Sequence, residues 1–418
     1  MARVIPFTCL RPTPEAAATI SSLPFDFYSN EEAEAILESN PQSFMHVDAA
    51  GVTYAKADGR IVEFPCEKAR TMLQEYQDEG LFFRDDDPAY YLYRLISADG
   101  SVQIGVMGGV YIGEEQNGCI RRHESTRVEK ENGCIRHIEA CAAHTSAVFL
   151  AFRANEDIAW VMDQVTQREP LYDFTADNVR NTVWRVDHPA EMRIMQRAFE
   201  GIDALYIADG HHRAAANMRY GMTRRAERGA LDKDGNPYPT EHMLAVMFPS
   251  DQLVIHDYNR VVEDLNGLSK ERFLEMVSEE FDIVGPFDEP VKPNKRGTFG
   301  MFLLEGEEWY RLTYKGAKSS SVVGRLDVSI LQDRLLDPIL GIDDPRSNDR
   351  IDFVRGTRGV KALEHRTVNG REAEVCFSLY PTDIEDLFEI ADNNQLMPPK
   401  STWFEPKIRS GLFVYEID

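Results

Sequence analysis

Five consecutive residues, Asp209-Gly210-His211-His212-Arg213, combine features suited to holding a phosphate group. An apolar run (LYIA) precedes them and the helical pattern AAANMRYGMTRRAE follows, so the sequence predicts a strand, a turn and a helix. Gly210 lets the backbone approach a ligand, and the free amides and dipole of a helix start favour an anion. Arg213 offers a fork matched to phosphate oxygens, and the histidines add donors of adjustable charge. We predict that Asp209 caps the helix. The alternative to a phosphate site is a plain helix start that Asp209 caps and whose histidines lie at the surface.

A second group, His123-Glu124-Ser125-Thr126-Arg127, is followed by Lys130. It lacks the second histidine of the H-E-x-x-H pattern, which excludes the zinc-protease interpretation. A carboxylate between a histidine and two cations can act as a general base or hold a metal ion. A solvated, charged helix start is the alternative.

Six cysteine and histidine residues nearby resemble a metal-ligand set: Cys119, His123, Cys134, His137, Cys141 and His144. If residues 134–144 form one helix, its ends are about 15 Å apart, too far for one tetrahedral zinc ion. Cys134, Ile138, Cys141 and Thr145 instead have the spacing of an apolar helix face. We therefore predict no structural zinc.

A third group lies in the segment MPPKSTWFEPK, which begins at Met397. Its paired prolines stiffen a loop that presents Lys400, Ser401 and Thr402, a basic and hydroxyl-rich set that can close on a phosphate. A rigid loop anchored by aromatic residues is the alternative. Arg260 is a further candidate cation, although a structural ion pair explains it equally well.

The composition excludes several classes of protein. A net charge of −24 opposes duplex DNA, so we expect no nucleic-acid partner, and any phosphate site must concentrate cations locally or use metal ions. No apolar run approaches the roughly 20 residues of a membrane span. The first residues lack the pattern of a signal peptide, and six cysteines in 418 residues do not make a disulfide framework. We expect a cytoplasmic protein without a membrane partner.

Alternating strand and helix patterns predict a fold class between α/β and α+β. The sequence predicts strands at VIPFTCL and SFMHVD, a capping-box helix after Ser29, and a hairpin of YYLYRLIS with VQIGVMGGVYIG. It also predicts strands at MLAVMFP and LVIHDYNRVV and a helix at DVSILQDRLLDPILGI. We divide the chain into a catalytic unit, residues 1–262, with a lobe break near 115–153, and an α+β unit, residues 263–418, that closes the site.

Seven segments resemble the bacterial and archaeal family known as "domain of unknown function 1015": LRPTPEAA, SLPFDF, EEAEAILESNPQSFMHV, RRHESTRVEK, LYIADGHHRAAA, NRVVEDL and MPPKSTWFEPKIRSGL. The D-G-H-H-R turn is in addition similar to the phosphate-gripping turn of the ParB and sulfiredoxin superfamily, which includes kinases of free serine. This resemblance implies mixed sheets around a phosphate-binding strand, turn and helix. Sulfiredoxin chemistry needs a cysteine in the turn, where this chain has His211 and His212.

Among the activities of this superfamily, the resemblance favours phosphoryl transfer from a nucleotide to a small hydroxyl compound, with free serine as the favoured acceptor. A phosphohydrolase and a non-catalytic nucleotide-binding regulator stay open as alternatives. We expect ATP or ADP and Mg²⁺ as cofactors, because two anions must meet in an acidic protein.

Each candidate residue then receives a predicted role. Residues 209–213 hold phosphates, and Arg127 or Lys130 neutralises developing charge. Glu124, beside His123, orients or deprotonates the acceptor, and Lys400 closes from its loop with Ser401 and Thr402. One site requires Glu124 within about 12 Å of Arg213.

Overall fold

The computed structural model describes residues 1–55, 61–114, 117–317 and 319–417, which form two compact units. The first unit comprises Met1–Leu253 and Pro406–Asp418, and the second unit comprises Val254–Glu405. The boundary therefore differs from the predicted one at 262/263, and the C-terminal segment returns to the first unit. The predicted lobe break near 115–153 begins at residues 115 and 116, which lie outside the described residues.

The described residues form short and long strands in chain order. They are β1 (Val4–Ile5), β2 (Leu10–Pro12), β3 (Thr53–Ala55), β4 (Ile61–Glu63), β5 (Phe82–Arg84), β6 (Tyr90–Ile96), β7 (Val102–Tyr111), β8 (Ile120–Arg121), β9 (Ala143–His144), β10 (Val148–Phe152), β11 (Tyr172–Ala176), β12 (Val179–Val186), β13 (Leu205–Asp209), β14 (His242–Pro249), β15 (Ile255–His256), β16 (Tyr258–Val262), β17 (Phe281–Phe287), β18 (Thr298–Leu303), β19 (Glu308–Tyr314), β20 (Ile351–Arg355), β21 (Thr367–Val368), β22 (Arg371–Glu372), β23 (Val375–Ser378), β24 (Trp403–Phe404) and β25 (Tyr415–Glu416).

Helices lie between these strands in both units. They are α1 (Pro14–Ile20), α2 (Asn30–Ser39), α3 (Met45–Asp48), α4 (Cys66–Asp78), α5 (Val128–Cys141), α6 (Glu156–Thr166), α7 (Pro189–Glu200), α8 (His211–Arg228), α9 (Lys270–Glu280), α10 (Asp327–Leu331) and α11 (Ile384–Asp392).

The first unit is built on a large mixed sheet. Its strand order is β11-β12-β6-β7-β14-β10-β13-β8, and β1 pairs with β7 outside this order. The pairs β10–β14 and β8–β13 are parallel, and the other pairs are antiparallel. All eight residues of β14 are buried, as expected for a central strand covered on both faces.

The second unit contains an antiparallel sheet of order β17-β19-β18-β23-β16-β20. Its core includes the fully buried Trp309 packed on Phe302. Together the two sheets and their helices form a mixed α/β fold, which confirms the predicted fold class.

The C-terminal segment joins the first unit through backbone pairing. Val414 exchanges hydrogen bonds with Leu10, and β25 pairs with β9 through Tyr415 and His144. Leu412 and Val414 are fully buried. This pairing and burial explain why a segment distant in sequence belongs to the first unit.

Several local predictions are confirmed. Ser29 accepts from the Glu32 amide while Glu32 bonds back to Ser29, which completes the capping box of α2. The β6–β7 hairpin and the strand β13 lie where the alternation and apolar patterns placed them.

Other local predictions are wrong. SFMHVD contains the short helix α3, because Phe44, Met45 and Val47 all face the core and that spacing suits a helical turn. VIPFTCL splits into β1 and the start of β2. The pattern DVSILQDRLLDPILGI gives α10 and then a π-helical turn, Gln332–Leu336. LVIHDYNRVV, predicted as one strand, splits into β15 and β16, and β16 lies in the second unit's sheet.

No helix in the described part of the chain is both long enough and apolar enough to cross a bilayer.

Candidate functional site

Strand β13 delivers the 209–213 turn to one end of the large sheet. Residues 205–208 are buried, and Asp209 lies opposite Phe149 on β10. Gly210 follows in the left-handed region, with φ +85°, and α8 begins at His211. The predicted strand, turn and helix are therefore present.

The predicted capping role of Asp209 is wrong. Gly210 occupies the N-cap position and no side chain caps α8. The Asp209 carboxylate turns to two cations instead: its Oδ2 lies 3.2 Å from Lys407 Nζ and 3.5 Å from Arg213 Nη2. Burial would raise the pKa of Asp209, but Lys407 and Arg213 outweigh it and lower the pKa to about 2.

The start of α8 is open to an anion. Its first intrahelical hydrogen bond runs from the Ala214 amide to the Gly210 carbonyl, 2.8 Å. The amides of His211, His212 and Arg213 therefore have no acceptor within the helix. With the dipole of a helix that extends to Arg228, they favour a negative group here.

Glu124 lies beside this turn, as one shared site requires. Its Oε2 is 3.8 Å from His211 Nδ1, which is too long for a hydrogen bond but places the carboxylate beside the ring. The Glu124 side chain is 48% exposed, so it can reach a ligand in solvent. His211 belongs to the 209–213 turn, so the structure brings Glu124 and the turn together.

His123 and His211 form a buried pair. Their rings meet edge to face with centroids 4.5 Å apart. Burial lowers the pKa of His211 to about 4, and burial followed by His211 itself lowers the pKa of His123 well below its usual range. Both rings are thus neutral near pH 7. His123 Nδ1 and His211 Nε2 are buried and have no hydrogen-bond partner in the described residues.

The Arg213 guanidinium contacts residues outside its own turn as well as Asp209 within it. Its Nη1 donates to Ser146 Oγ at 2.8 Å and to the Ala147 carbonyl at 2.7 Å. A side chain at Gly210 would contact the Arg213 guanidinium at 3.0 Å. The guanidinium therefore folds back over the turn at Gly210.

His212 faces a different element from His211. Its Nε2 accepts a hydrogen bond of 3.1 Å from the Arg127 amide, which joins the start of α5 to the start of α8. The side chains of Arg127 and Lys130 are exposed. His212 thus positions a neighbouring segment, and the predicted roles of Arg127 and Lys130 in neutralising charge stay predictions.

Lys400, Ser401 and Thr402 lie in the second unit. Lys400 is exposed, whereas Ser401 is buried and its hydroxyl donates to the Pro398 carbonyl at 2.6 Å. The prediction that these residues close on a phosphate stays a prediction.

Lys407 is the cation that sequence reasoning missed. It belongs to the same MPPKSTWFEPK segment as Lys400, but it lies in the first unit, and its side chain is only 11% exposed beside Asp209. The sequence of this segment did indicate a basic group near the phosphate site, but the lysine singled out was Lys400. Which of its lysines reaches the turn depends on where the chain crosses back to the first unit.

The cysteine and histidine set near α5 does not converge. Helix α5 ends at Cys141, where Ile138 and Cys141 are buried, and the chain turns to β9. In the described residues there is no cluster of three or more histidine, cysteine, aspartate or glutamate side chains that could hold a metal ion.

The fold and the turn define an α/β protein with an open helix start as its candidate site. The sequence profile of the family described as "Protein of unknown function (DUF1015)" matches residues 4–329, and the chain belongs to this family. The predicted membership is confirmed. No protein with curated annotation matches the sequence.

Solved structures resemble the chain at low identity. A conserved hypothetical protein from Pyrococcus furiosus has a TM-score of 0.33 and 14% identity over 77% of this chain and 95% of that one. A free serine kinase mutant in complex with ADP has a TM-score of 0.33 and 13% identity over 76% of this chain and 95% of that one. SbnI from Staphylococcus aureus, with a C-terminal truncation, has a TM-score of 0.36 and 10% identity over 74% and 87%.

Proposed function

We propose that this protein is a nucleotide-dependent phosphotransferase that acts on a small hydroxyl compound. One observation carries the proposal: the uncapped start of α8 adjoins Glu124 and a pair of buried imidazoles with unpartnered nitrogens. Phosphoryl transfer depends on positioning and charge stabilisation, and this arrangement supplies both without a covalent intermediate.

In this proposal the amides of residues 211–213 bind phosphate oxygens, and Arg213 adds positive charge beside them. Lys407 and Arg213 offset the charge of Asp209, which limits its repulsion of the incoming phosphate. The neutral rings of His123 and His211 supply hydrogen bonds to the ligand through their unpartnered nitrogens.

Glu124 is the proposed base or orienting group for the acceptor hydroxyl. It is half-exposed and is the carboxylate nearest to His211 in the described ion pairs. The proposal includes ATP or ADP as the donor and free serine as the acceptor. Both come from the resemblance of the turn to that of the ParB and sulfiredoxin superfamily.

Magnesium fits the donor set of this site. Mg²⁺ keeps several waters and is bound by one or two carboxylates together with substrate phosphates. Glu124 and Asp209 are the carboxylates that would hold it, and the ion would neutralise charge on the transferred group. We also propose a cytoplasmic location, which the free state of all six cysteines supports.

The test begins with purified protein, Mg²⁺ and ATP or ADP, screened against hydroxyl metabolites that include free serine. Glu124→Gln keeps the shape of the side chain but removes its charge and proton acceptor. If Glu124 is the base, kcat falls by about 10² to 10⁴ while nucleotide affinity is nearly unchanged. If it holds the metal, affinity for the magnesium nucleotide falls with the rate, and added magnesium restores part of both.

Glu129→Gln is the matched control, because Glu129 is an exposed carboxylate in the first turn of α5. It should keep wild-type turnover. Full turnover in Glu124→Gln contradicts the assigned role. Nucleotide hydrolysis that needs no acceptor identifies a phosphohydrolase, and binding without any turnover identifies a regulator; either result contradicts the phosphotransferase proposal.

A further inference from the structure

Arg260 is a buried cation that has no carboxylate partner among the described residues. Arg260 lies on β16 in the second unit and is only 4% exposed. In the described part of the chain, its hydrogen bonds go to two backbone carbonyls, those of Tyr258 and, at 3.1 Å, Lys400. From the sequence, a structural ion pair was the alternative role for Arg260. The described contacts of Arg260 contain no such ion pair.

The surroundings of Arg260 are aromatic. In the register of the second unit's sheet it lies opposite Phe353 on β20 and opposite Phe377 on β23. Its guanidinium carbon lies 5.1 Å from the centre of the Phe353 ring. Burial in this environment lowers the pKa of Arg260 to about 10, although the group stays charged at neutral pH. A buried charge is costly unless a counter-charge accompanies it.

Two further cations lie at the same loop. Lys400 Nζ is 5.7 Å from the centre of the Tyr258 ring, and the Arg355 guanidinium carbon is 4.5 Å from the centre of the Trp403 ring. Tyr258 and Trp403 are themselves in edge-to-face contact at 5.4 Å. The acidic Glu405 accepts a hydrogen bond from Trp403 Nε1.

The backbone of Lys400 marks this loop as a constrained position. Its φ is +58°, a left-handed conformation that residues other than glycine rarely adopt. The bond from Arg260 to the Lys400 carbonyl and the bond from Ser401 to the Pro398 carbonyl hold the loop in this form. Such over-determined strain is typical of ligand sites.

We propose that Arg260 and Lys400 form a second anion site, within the second unit, for the phosphate or carboxylate group of a small ligand. An oxyanion supplies the counter-charge that Arg260 lacks, and the guanidinium fork matches either group. The exposed Lys400, whose carbonyl accepts from Arg260, adds a second charge. This site is distinct from the 209–213 turn and does not depend on the phosphotransferase proposal.

The test is calorimetric titration of the full chain with inorganic phosphate and, separately, with acetate at matched ionic strength. Arg260→Met removes the charge with little change in volume, and it should weaken binding at this site by about ten- to a hundredfold. Lys400→Ala should weaken it by about three- to tenfold. Arg272→Met, at an exposed arginine of the same unit, is the control and should bind as the wild type does.

The stoichiometry separates the two proposals. If both sites bind phosphate, the wild type binds two ions, Arg213→Ala keeps the Arg260 site, and Arg260→Met keeps the turn. If only the Arg260 site exists, Arg213→Ala leaves the isotherm unchanged. Tighter binding of phosphate than acetate identifies a phosphorylated ligand, and the reverse identifies a carboxylate.

Wild-type isotherms in a folded Arg260→Met variant overturn the proposal, as does the absence of binding by either anion in the wild type. If Arg260→Met does not fold, the exposed Lys400→Ala variant decides, because unchanged affinity there removes Lys400 from the site and overturns the proposal as stated.

Discussion

At the scale of single residues, Arg213 has both a structural and a proposed binding role. Its guanidinium bonds to Ser146 and the Ala147 carbonyl while it approaches Asp209. A side chain used in this way is fixed before a ligand arrives, so little conformational entropy is lost when the ligand binds. The two roles can be separated by measuring binding and unfolding in the same variants.

We expect Arg213→Ala to weaken phosphate or nucleotide affinity by about ten- to a hundredfold, because a charge-assisted contact is lost. The same change should lower the free energy of unfolding by about 1–3 kcal/mol, because the Ser146 and Ala147 acceptors lose their donor. Arg213→Lys should retain part of the affinity, since the charge remains and the fork does not. Calorimetry and chemical denaturation measure the two effects.

Arg224→Ala is the comparison for this series. Arg224 lies on the same helix and pairs with Glu227 at the surface. Its removal should change stability by no more than about 0.5 kcal/mol and leave ligand affinity unchanged. Unchanged affinity in folded Arg213→Ala would return Arg213 to a purely structural role.

At the scale of elements, the junction of β13 and α8 depends on Gly210. The left-handed φ of +85° is available to glycine without strain. A Cβ at this position would in addition lie 3.0 to 3.2 Å from three atoms of the Arg213 guanidinium. Conformation and close approach therefore require glycine for different reasons, and the two can be measured apart.

We expect Gly210→Ala to destabilise the protein by about 1–2 kcal/mol from backbone strain and to displace the Arg213 guanidinium, weakening phosphate binding. Gly80→Ala is the matched control. Gly80 also has a positive φ, +70°, but a Cβ there meets nothing within 4 Å. It should show strain in thermal unfolding and keep wild-type affinity. Equal affinities in the two variants would show that the close approach at Gly210 does not matter.

At the scale of the whole molecule, buried histidines make stability depend on pH. Burial, the largest cause in each case, lowers the pKa values of His144, His211 and His242 to about 4. Their ordinary value is 6.5. As the pH falls from 6.5 towards 4, the unfolded chain binds protons and the folded chain does not, so stability is lost as the pH falls.

Each of these groups contributes a slope of up to about 1.4 kcal/mol per pH unit within that window. Asp327 works in the opposite direction, because burial raises its pKa to about 6 and it takes up its proton in the folded state first. Asp209, with a pKa of about 2, contributes only below about pH 4. The histidines therefore dominate between pH 6.5 and 4.5, and we expect a marked fall in unfolding free energy there.

Chemical denaturation at a series of pH values measures this slope. His144→Gln should reduce the slope, whereas His188→Gln, at an exposed histidine before α7, should not. A flat profile between pH 6.5 and 4.5 in the wild type would contradict the prediction.

The sequence by itself determined the features that depend on neighbouring residues. The apolar run, Gly210 and the helical pattern after it specify strand, turn and helix within a short stretch, and Ser29 with Glu32 specifies a capping box. These are local because hydrogen bonding and φ preferences act over a few residues. The family also followed from short motifs.

Only the tertiary structure decided which distant residues meet. Glu124 lies beside His211 and Lys407 beside Asp209, because β8 pairs with β13 and the C-terminal segment returns to the first unit. The same long-range contacts overruled local expectation: Asp209 binds cations and leaves the cap to Gly210, and Phe44, Met45 and Val47 bury themselves as a helix. Packing and charge pairing between segments far apart in the chain outweigh local preference, and a single sequence does not display them.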